Sequence, residues 1–474
     1  MGHSASQFAQ CCTMRHEEWP EGKDGSSPGP LSPFAQKQLY VYRQGISEAI
    51  ALETARDSPL TCRTGRDTEK SSVSNAEKLE DAGLMGLFSK ENLDGKRAAA
   101  VVSLTGKARE EARFQEKDVE MLMPIGQEED EGALLQWVHS LGIGWTCRKG
   151  YKGLPNQDSF FLLAVEDCFV VAGVFDGHGE KGHHVSQFSR HNFLRNFAAH
   201  PLRLTDPREA LGCCIEQCQA QLEAAAGDLG ADQSGCTASV VHLDLVSKRL
   251  SVAHVGDSRA VLAYRPGAEA DFQIVQTLDH MCEVEAEKRR IEGASPPGRV
   301  VATNYGWRVM AQNSKAPGLN MSRVLGDLEG HRTAGLSYLP DTSTIDLEAA
   351  CDTNEPVSLL LCSDGVWQYI GSRRAVKIVS GVQAAKEASG ACKSLALESW
   401  SQWMSNSRGR VCDDITALLV RVDLVGKAPS EASTDTGTTG DPLLDGDWVL
   451  PNEKPEKECD CVFPMATCMA RETN

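Results

Sequence analysis

From Leu135 to about Leu424, apolar runs alternate with Gly, Asp, Asn, Pro and Ser clusters and with longer stretches of helical spacing. The run "SFFLLAVEDCFVVAGVFD" (159–176) predicts two strands with a tight turn at Glu166 and Asp167, because aromatic and β-branched residues suit a pleated surface and Asp does not. "CTASVVHLDLVSKRLSVAHVGDSRAVLAYR" (236–265) predicts three successive strands with short turns, read as an antiparallel meander. Between these runs, "REALGCCIEQCQAQLEAAAGDLG" has the length and Ala/Gln/Leu content of a helix. Further helices are predicted at "EVEAEKRRIEG", at "SRRAVKIVSGV" and around residues 391–404, and strands resume at "VSLLLCSD" and "ITALLVRVDL". Meanders with helices inserted, rather than strict alternation, indicate an α+β layered fold with helices outside antiparallel sheets.

The flanks have a different texture. Residues 1–130 are rich in Ser, Gly, Pro, Lys and Glu, which predicts a largely disordered extension with one docking helix at "KLEDAGLMGLFSKENL" (78–93). Residues 425–474 turn to Pro, Thr, Gly and Asp and carry ten acidic against four basic residues, the pattern of a flexible acidic tail. The folded block is thus expected at 135–424, without internal repeats.

Composition narrows the functional classes. Of 474 residues, 41% are hydrophobic and 24% charged, enough for a sizeable core. A net charge of −18 argues against general nucleic-acid binding, which needs clustered Lys and Arg, and it disfavours a nuclease. Seventeen cysteines without a signal-peptide core or an 18-residue apolar run point to a reducing compartment and free thiols. "MGHSASQFAQCC" matches the myristoylation pattern through Gly2 and Ser6. One acyl chain holds a membrane only marginally, so Cys11 and Cys12 are the expected palmitoylation sites, and the cytosolic face of a membrane is the expected location.

Carboxylates at strand ends carry the chemistry. Asp176 ends one strand, Asp158 begins another, Asp257 and Asp364 each follow an apolar run, and Asp413 and Asp414 precede "ITALLV". Singly, Asp-Gly at 176–177 and 364–365 is a favoured turn dipeptide. Converging, these carboxylates would repel one another unless a cation lay between them. All-oxygen donors select Mg²⁺ or Mn²⁺ over zinc, and a pair of such ions can activate a water towards phosphorus. His178 could then protonate a leaving alkoxide, which points to hydrolysis of a phosphate monoester.

In order and spacing, "NQDSF", "VFDGHGEKGH", "SGCTASVV", "VAHVGDSRAVL", "TLDH", "PGLNMSRVLGD", "LLLCSDGVW" and "CDDITALLV" resemble the metal-dependent protein serine/threonine phosphatases of type 2C. The resemblance spans roughly residues 137–424. It implies an αββα sandwich with two, and up to three, Mg²⁺ or Mn²⁺ ions at one edge. Asp176 would bridge two ions, the Gly177 carbonyl would bind one, and Asp364 and Asp413 would hold the other. Asp158 and Gln157 would hold metal-bound water, Asp257 would share a third ion with Asp364, and His178 would be the general acid. Phosphoproteins would be the substrates and a monomer the working unit.

Two positions depart from the family pattern. Gly153 stands where an Arg often grips the substrate phosphate, leaving Lys152 or Arg148 as substitutes, and Gln368 stands where an acidic residue is usual. These departures motivate a rival reading, a phosphatase-fold scaffold that binds phosphoproteins without turnover. Ser258 and Arg259 are read as a turn and a structural ion pair, Asp327 as a turn residue, and His183 and His184 as solvated. Residues 295–318 fall where the family carries a flap beside the active site.

Overall fold

The computed structural model describes residues 96–104, 113–123, 130–265, 271–350, 356–381, 387–422, 444–445 and 448–449. The chain runs through strands β1 (Ala98–Ser103) and β2 (Val119–Leu122), helix α1 (Glu131–Ser140), β3 (Ile143–Arg148), and the hairpin β4 (Ser159–Val165) and β5 (Phe169–Phe175). A two-residue strand β6 (Gly177–His178) leads into helices α2 (Gly182–Ala199) and α3 (Pro207–Ala224). Then come β7 (Gly235–Cys236), β8 (Ala238–Asp244), β9 (Arg249–Val255), β10 (Arg259–Tyr264), β11 (Gln273–Thr277) and α4 (Glu285–Glu292). A small sheet, β12 (Gly298–Thr303), β13 (Gly306–Ala311) and β14 (Pro317–Leu319), precedes β15 (Leu325–Gly326), α5 (Leu328–Thr333) and β16 (Asp341–Asp346). The last part holds β17 (Val357–Cys362), α6 (Asp364–Trp367), α7 (Ser372–Val379), α8 (Ala388–Asn406), β18 (Ile415–Val422), β19 (Leu444–Asp445) and β20 (Trp448–Val449).

Two antiparallel sheets form the centre, one in the order β19-β16-β9-β8-β5-β4-β1-β2 and the other β20-β11-β10-β17-β18-β3. The unbroken apolar run of β4 now has a cause. Phe160, Leu162 and Ala164 enter the core between the sheets, while Phe161, Leu163 and Val165 pack with Phe193, Phe197 and Leu211 of α2 and α3. Both faces are buried, so period-2 alternation disappears. On the far side, Leu360, Ala417 and Leu419 pack against Ala391, Cys392 and Leu395 of α8. The order of layers is helix, sheet, sheet, helix.

Three sequence expectations change. The third strand of the expected meander does not pair with the second: β8 and β9 are neighbours in one sheet, while β10 pairs with β11 and β17 in the other. The crossing occurs at Gly256, whose φ of +98° and close approach to the Thr237 side chain (2.6 Å from where a Cβ would stand) exclude a larger residue. Secondly, the stretch 1–130 supplies β1, buried in register against β4, and β2, which pairs with β1 at the sheet edge. Ala98, Ala99 and Ala100 carry almost no strand signal of their own, and pairing decides them. Thirdly, residues beyond 425 add β19 and β20 to the sheet edges. Gly2, Cys11, Cys12, the segment 78–93 and most of the acidic tail lie outside the described residues. Ten described cysteines are free, eight of them buried.

Candidate metal centre

Antiparallel register gathers the carboxylates. Ser159 pairs with Phe175, so Asp158 and Asp176, one residue further out on each strand, sit side by side at the open end of the β4–β5 hairpin. Cys362 pairs with Ala417, and the Ser363 N–H donates to Thr416 O (3.2 Å), which brings Asp364 and Asp413 to the corresponding end of the second sheet. The Asp158 carboxylate joins the two ends: Oδ2 accepts from Ser363 Oγ (2.8 Å) and Thr416 Oγ1 (2.7 Å). At the β9–β10 crossing Ser258, the neighbour of Asp257, is tied to the group by hydroxyls, while Asp257 Oδ2 accepts from Asn320 Nδ2 (3.2 Å). The Asp176 N–H donates to Thr237 Oγ1 (2.9 Å), which lies 2.7 Å from Ser258 Oγ.

Asp414, fully buried, fastens the loop between β3 and β4. Its Oδ1 accepts from the Gly150 N–H (2.7 Å) and its Oδ2 from the Gln157 N–H (2.8 Å). Beneath the site the buried Lys117, from the segment before β2, donates to the carbonyls of Asn156 and Asp158.

The electrostatics follow from packing acids together. Burial pushes the Asp176 carboxyl well above the usual range, and Asp158, Asp364 and Asp413 add to it. Asp364 is raised in the same way, by burial and then by Asp413 and Asp257. Asp158 is pushed up to about 6 by burial and Asp414, and Asp257 to about 6 by burial and Asp279. Asp413 is the exception. Burial would raise it, but the Lys152 ammonium, 2.5 Å from its Oδ1 and 3.0 Å from Asp414 Oδ2, holds it below its ordinary value.

A hard cation suits this donor set. Oδ1 of Asp158 and Oδ1 of Asp364 are buried with no hydrogen-bond partner, and an oxyanion in that state is costly unless something positive meets it. Oxygen donors without a thiolate or imidazole among them favour Mg²⁺ or Mn²⁺.

The structure treats the other expected residues differently. Gln157 donates from Nε2 to Gly179 O (2.7 Å), bracing the loop after His178. Arg148, one of the two expected phosphate ligands, is instead committed elsewhere: NH2 to Glu116 (2.8 Å), NH1 to Phe114 O (2.9 Å), Nε to Thr146 Oγ1 (3.3 Å). The cause is Glu116, from a segment no sequence pattern attached to β3. Arg259 forms the structural pair expected of it, bidentate to Asp279 at 2.9 and 2.6 Å. Gly153 and Gln368 are exposed. Of the two expected solvated histidines, His184 is exposed and His183 half-buried.

His178 has a partner that sequence reasoning missed. Its Nε2 lies 2.5 Å from Asp327 Oδ2. Burial alone would lower the imidazole pKa, but Asp327 overrides it and leaves the value raised.

A second group, His254, His280 and Asp341, also places its ligand atoms within 4.8 Å of one another. Hydrogen bonds engage all of its ring nitrogens except His254 Nδ1, which is buried without a partner. His254 Nε2 donates to Leu278 O (2.9 Å), His280 Nδ1 accepts from the Gly256 N–H (3.1 Å), and His280 Nε2 donates to Asp341 Oδ2 (3.0 Å). Asp341 Oδ1 accepts from Arg323 (2.5 Å), so this set braces the β9–β10 crossing.

Residues 154–406 match the family model for protein phosphatase 2C. The chain belongs to the protein phosphatase 2C family. It is similar to probable protein phosphatase 2C 64 of Oryza sativa subsp. japonica, 31% identical over 66% of this chain and 72% of that one. Probable protein phosphatase 2C 48 of the same organism is 32% identical over 57% of this chain and 81% of its own. Among solved structures, the serine-threonine phosphatase 2C from Toxoplasma gondii matches with a TM-score of 0.49 at 20% identity, over 59% of this chain and 94% of that one. Membership makes this a protein serine/threonine phosphatase of a metal-dependent family. Among the described residues, no helix of the phosphatase is long and apolar enough to cross a membrane.

Proposed function

We propose that this phosphatase hydrolyses phosphoserine and phosphothreonine in proteins at the carboxylate cluster between the sheet ends. Asp176, the Gly177 carbonyl, Asp364 and Asp413 would hold two Mg²⁺ or Mn²⁺ ions, with Asp158 behind them and Asp257 towards a third. When bound, such ions neutralise phosphate charge and make a water nucleophilic at neutral pH. The observation that supports this reading is the meeting of acids from β4, β5, β17 and β18, two of them with a buried, unpartnered oxygen.

The protein's own groups supply the rest. Asp158, fixed by two hydroxyls, presents its free oxygen in a single orientation. His178 stands one residue beyond Gly177 and donates a proton to the departing serine or threonine oxygen, whose own pKa is far above neutral. Lys152 holds positive charge at Asp413 and is the cation best placed to meet a substrate phosphate, as a point charge rather than a bidentate fork. Every group named comes from one chain, so a monomer suffices.

Hydrolysis of a phosphoserine peptide with Mn²⁺, compared with Asp364→Ala, tests the proposal. A rate that collapses in the variant supports it, and equal rates overturn it. No turnover in either protein would favour the phosphoprotein-binding scaffold. The proposal extends to the acylation of Gly2 with palmitoylation of Cys11 and Cys12, which would place the enzyme at the cytosolic face of a membrane. Gly2→Ala should then move it from the membrane to the soluble fraction, and a variant that stays with the membrane refutes the extension.

A further inference from the structure

Among the described residues, the smallest sheet has the order β6-β7-β15, with Gly235 at its centre. Register places His178 opposite Gly235 on one side and Gly326 opposite it on the other. Asp327 follows Gly326 directly, so the sheet sets the imidazole and the carboxylate on either side of a residue without a side chain. A Cβ at Gly235 would stand 2.3 Å from Asp327 Oδ2 and 2.8 Å from His178 Nε2. Only glycine leaves room for the two to meet.

The chain holds Asp327 there against its own preference. Its φ of +45° is left-handed, which a non-glycine residue adopts only when its surroundings impose it. Its N–H donates to Ser234 O (2.9 Å) and its carbonyl accepts from the Gly330 N–H (2.8 Å). The preceding Gly326 N–H donates to Oε1 of the buried Gln219 (2.9 Å). The Asp327 side chain is 5% exposed and the His178 ring 20%, so one partner is sealed and the other keeps an open edge.

We infer that Asp327 is the positioning residue for His178, and that Gly235 is the gap through which they pair. The inference rests on the reading of His178 as the proton donor. Nε2–H is committed to Asp327, so Nδ1 is the nitrogen that gives a proton to the leaving oxygen. As the P–O bond breaks, its electron pair remains on the serine oxygen and takes that proton. The imidazolium becomes neutral imidazole, and the attacking water supplies the fourth phosphate oxygen. Asp327 keeps one ring orientation and one tautomer throughout and transfers nothing itself.

Leaving-group dependence tests this in the full chain with Mn²⁺. Alkoxides need the proton and good aryl leaving groups scarcely do, so His178→Ala and Asp327→Asn should both lose kcat on a phosphoserine peptide by roughly 10²-fold. The loss on 2,4-dinitrophenyl phosphate should be much smaller in both. The metal-free protein supplies a second readout, a far-downfield proton resonance from His178 Nε2–H that vanishes in each variant. If Asp327→Asn loses both substrates equally, or neither, while His178→Ala discriminates, the role of Asp327 is overturned and that of His178 stands. If His178→Ala itself shows no discrimination, both fall.

Discussion

Lys152 places its ammonium 2.5 Å from Asp413 Oδ1, inside a group of acids that otherwise repel one another. Removing that charge without removing bulk, as in Lys152→Met, leaves Asp413 facing Asp176 and Asp364 uncompensated. Metal-free protein should lose about 1–2 kcal/mol of stability, less than a fully buried pair would, because the Asp413 side chain is 34% exposed. Added Mn²⁺ should close the gap, since the ion supplies the missing charge. Urea unfolding in chelator and in Mn²⁺ checks this, and equal stability of the two proteins in chelator would contradict it.

Asp158 ties the two sheets together, and the tie can be weakened from the far side. Thr416→Val keeps shape and removes one of the two hydroxyls on Oδ2, leaving a buried carboxylate less satisfied. The expected loss is about 1–3 kcal/mol, all of it folded-state stability. A denaturation midpoint unchanged within error would show that Ser363 alone suffices.

His242 predicts how the fold responds to acid. Its ring is buried beside Phe169 and Phe197, with centroids 5.2 and 5.9 Å away, and burial lowers its pKa to about 4. The unfolded chain takes up a proton near the ordinary value of 6.5 and the folded chain does not. Stability is therefore complete above pH 6.5 and falls as pH drops from there towards 4, by about 1 kcal/mol at pH 5.5. His254, lowered to about 3 by burial and His280, adds to the same slope. In His242→Phe the decline between pH 7.5 and 5.5 should shrink by about 1 kcal/mol. An unchanged slope would exclude this histidine as a cause.

What could be read from the residues depended on how local the signal was. Asp158, Asp176, Asp364 and Asp413 stand out because each interrupts or borders an apolar run, and antiparallel pairing then brings such ends together. The β10 crossing could not be read, since nothing in "VAHVGDSRAVL" distinguishes a hairpin turn from a change of sheet. Nor could β1 and β2, whose strand character comes from pairing. Asp327 looked like a turn residue and is one, with its left-handed backbone; its carboxylate found His178 through two strands of two residues each, too short to leave a pattern. Arg148 was misread for the same reason, as its partner Glu116 lies 32 residues upstream in sequence and makes only an isolated bridge.

Asp364 gives the test in which stability and metal binding move in opposite directions. Burial and the charges of Asp413 and Asp257 make its ionised form unfavourable, and its Oδ1 has no partner. Asparagine has the same shape and no charge. Asp364→Asn should therefore make the metal-free protein more stable, on the order of 1 kcal/mol at neutral pH, by relieving repulsion. The same change removes an anionic donor, so Mn²⁺ at a concentration 100 times the parent's Kd, which should add about 2.7 kcal/mol to the parent, should add far less to the variant. Thermal unfolding with and without Mn²⁺ reads both effects at once. A variant less stable than its parent in chelator, yet equally stabilised by the ion, would mean that Asp364 serves the fold and leaves the cation to its neighbours.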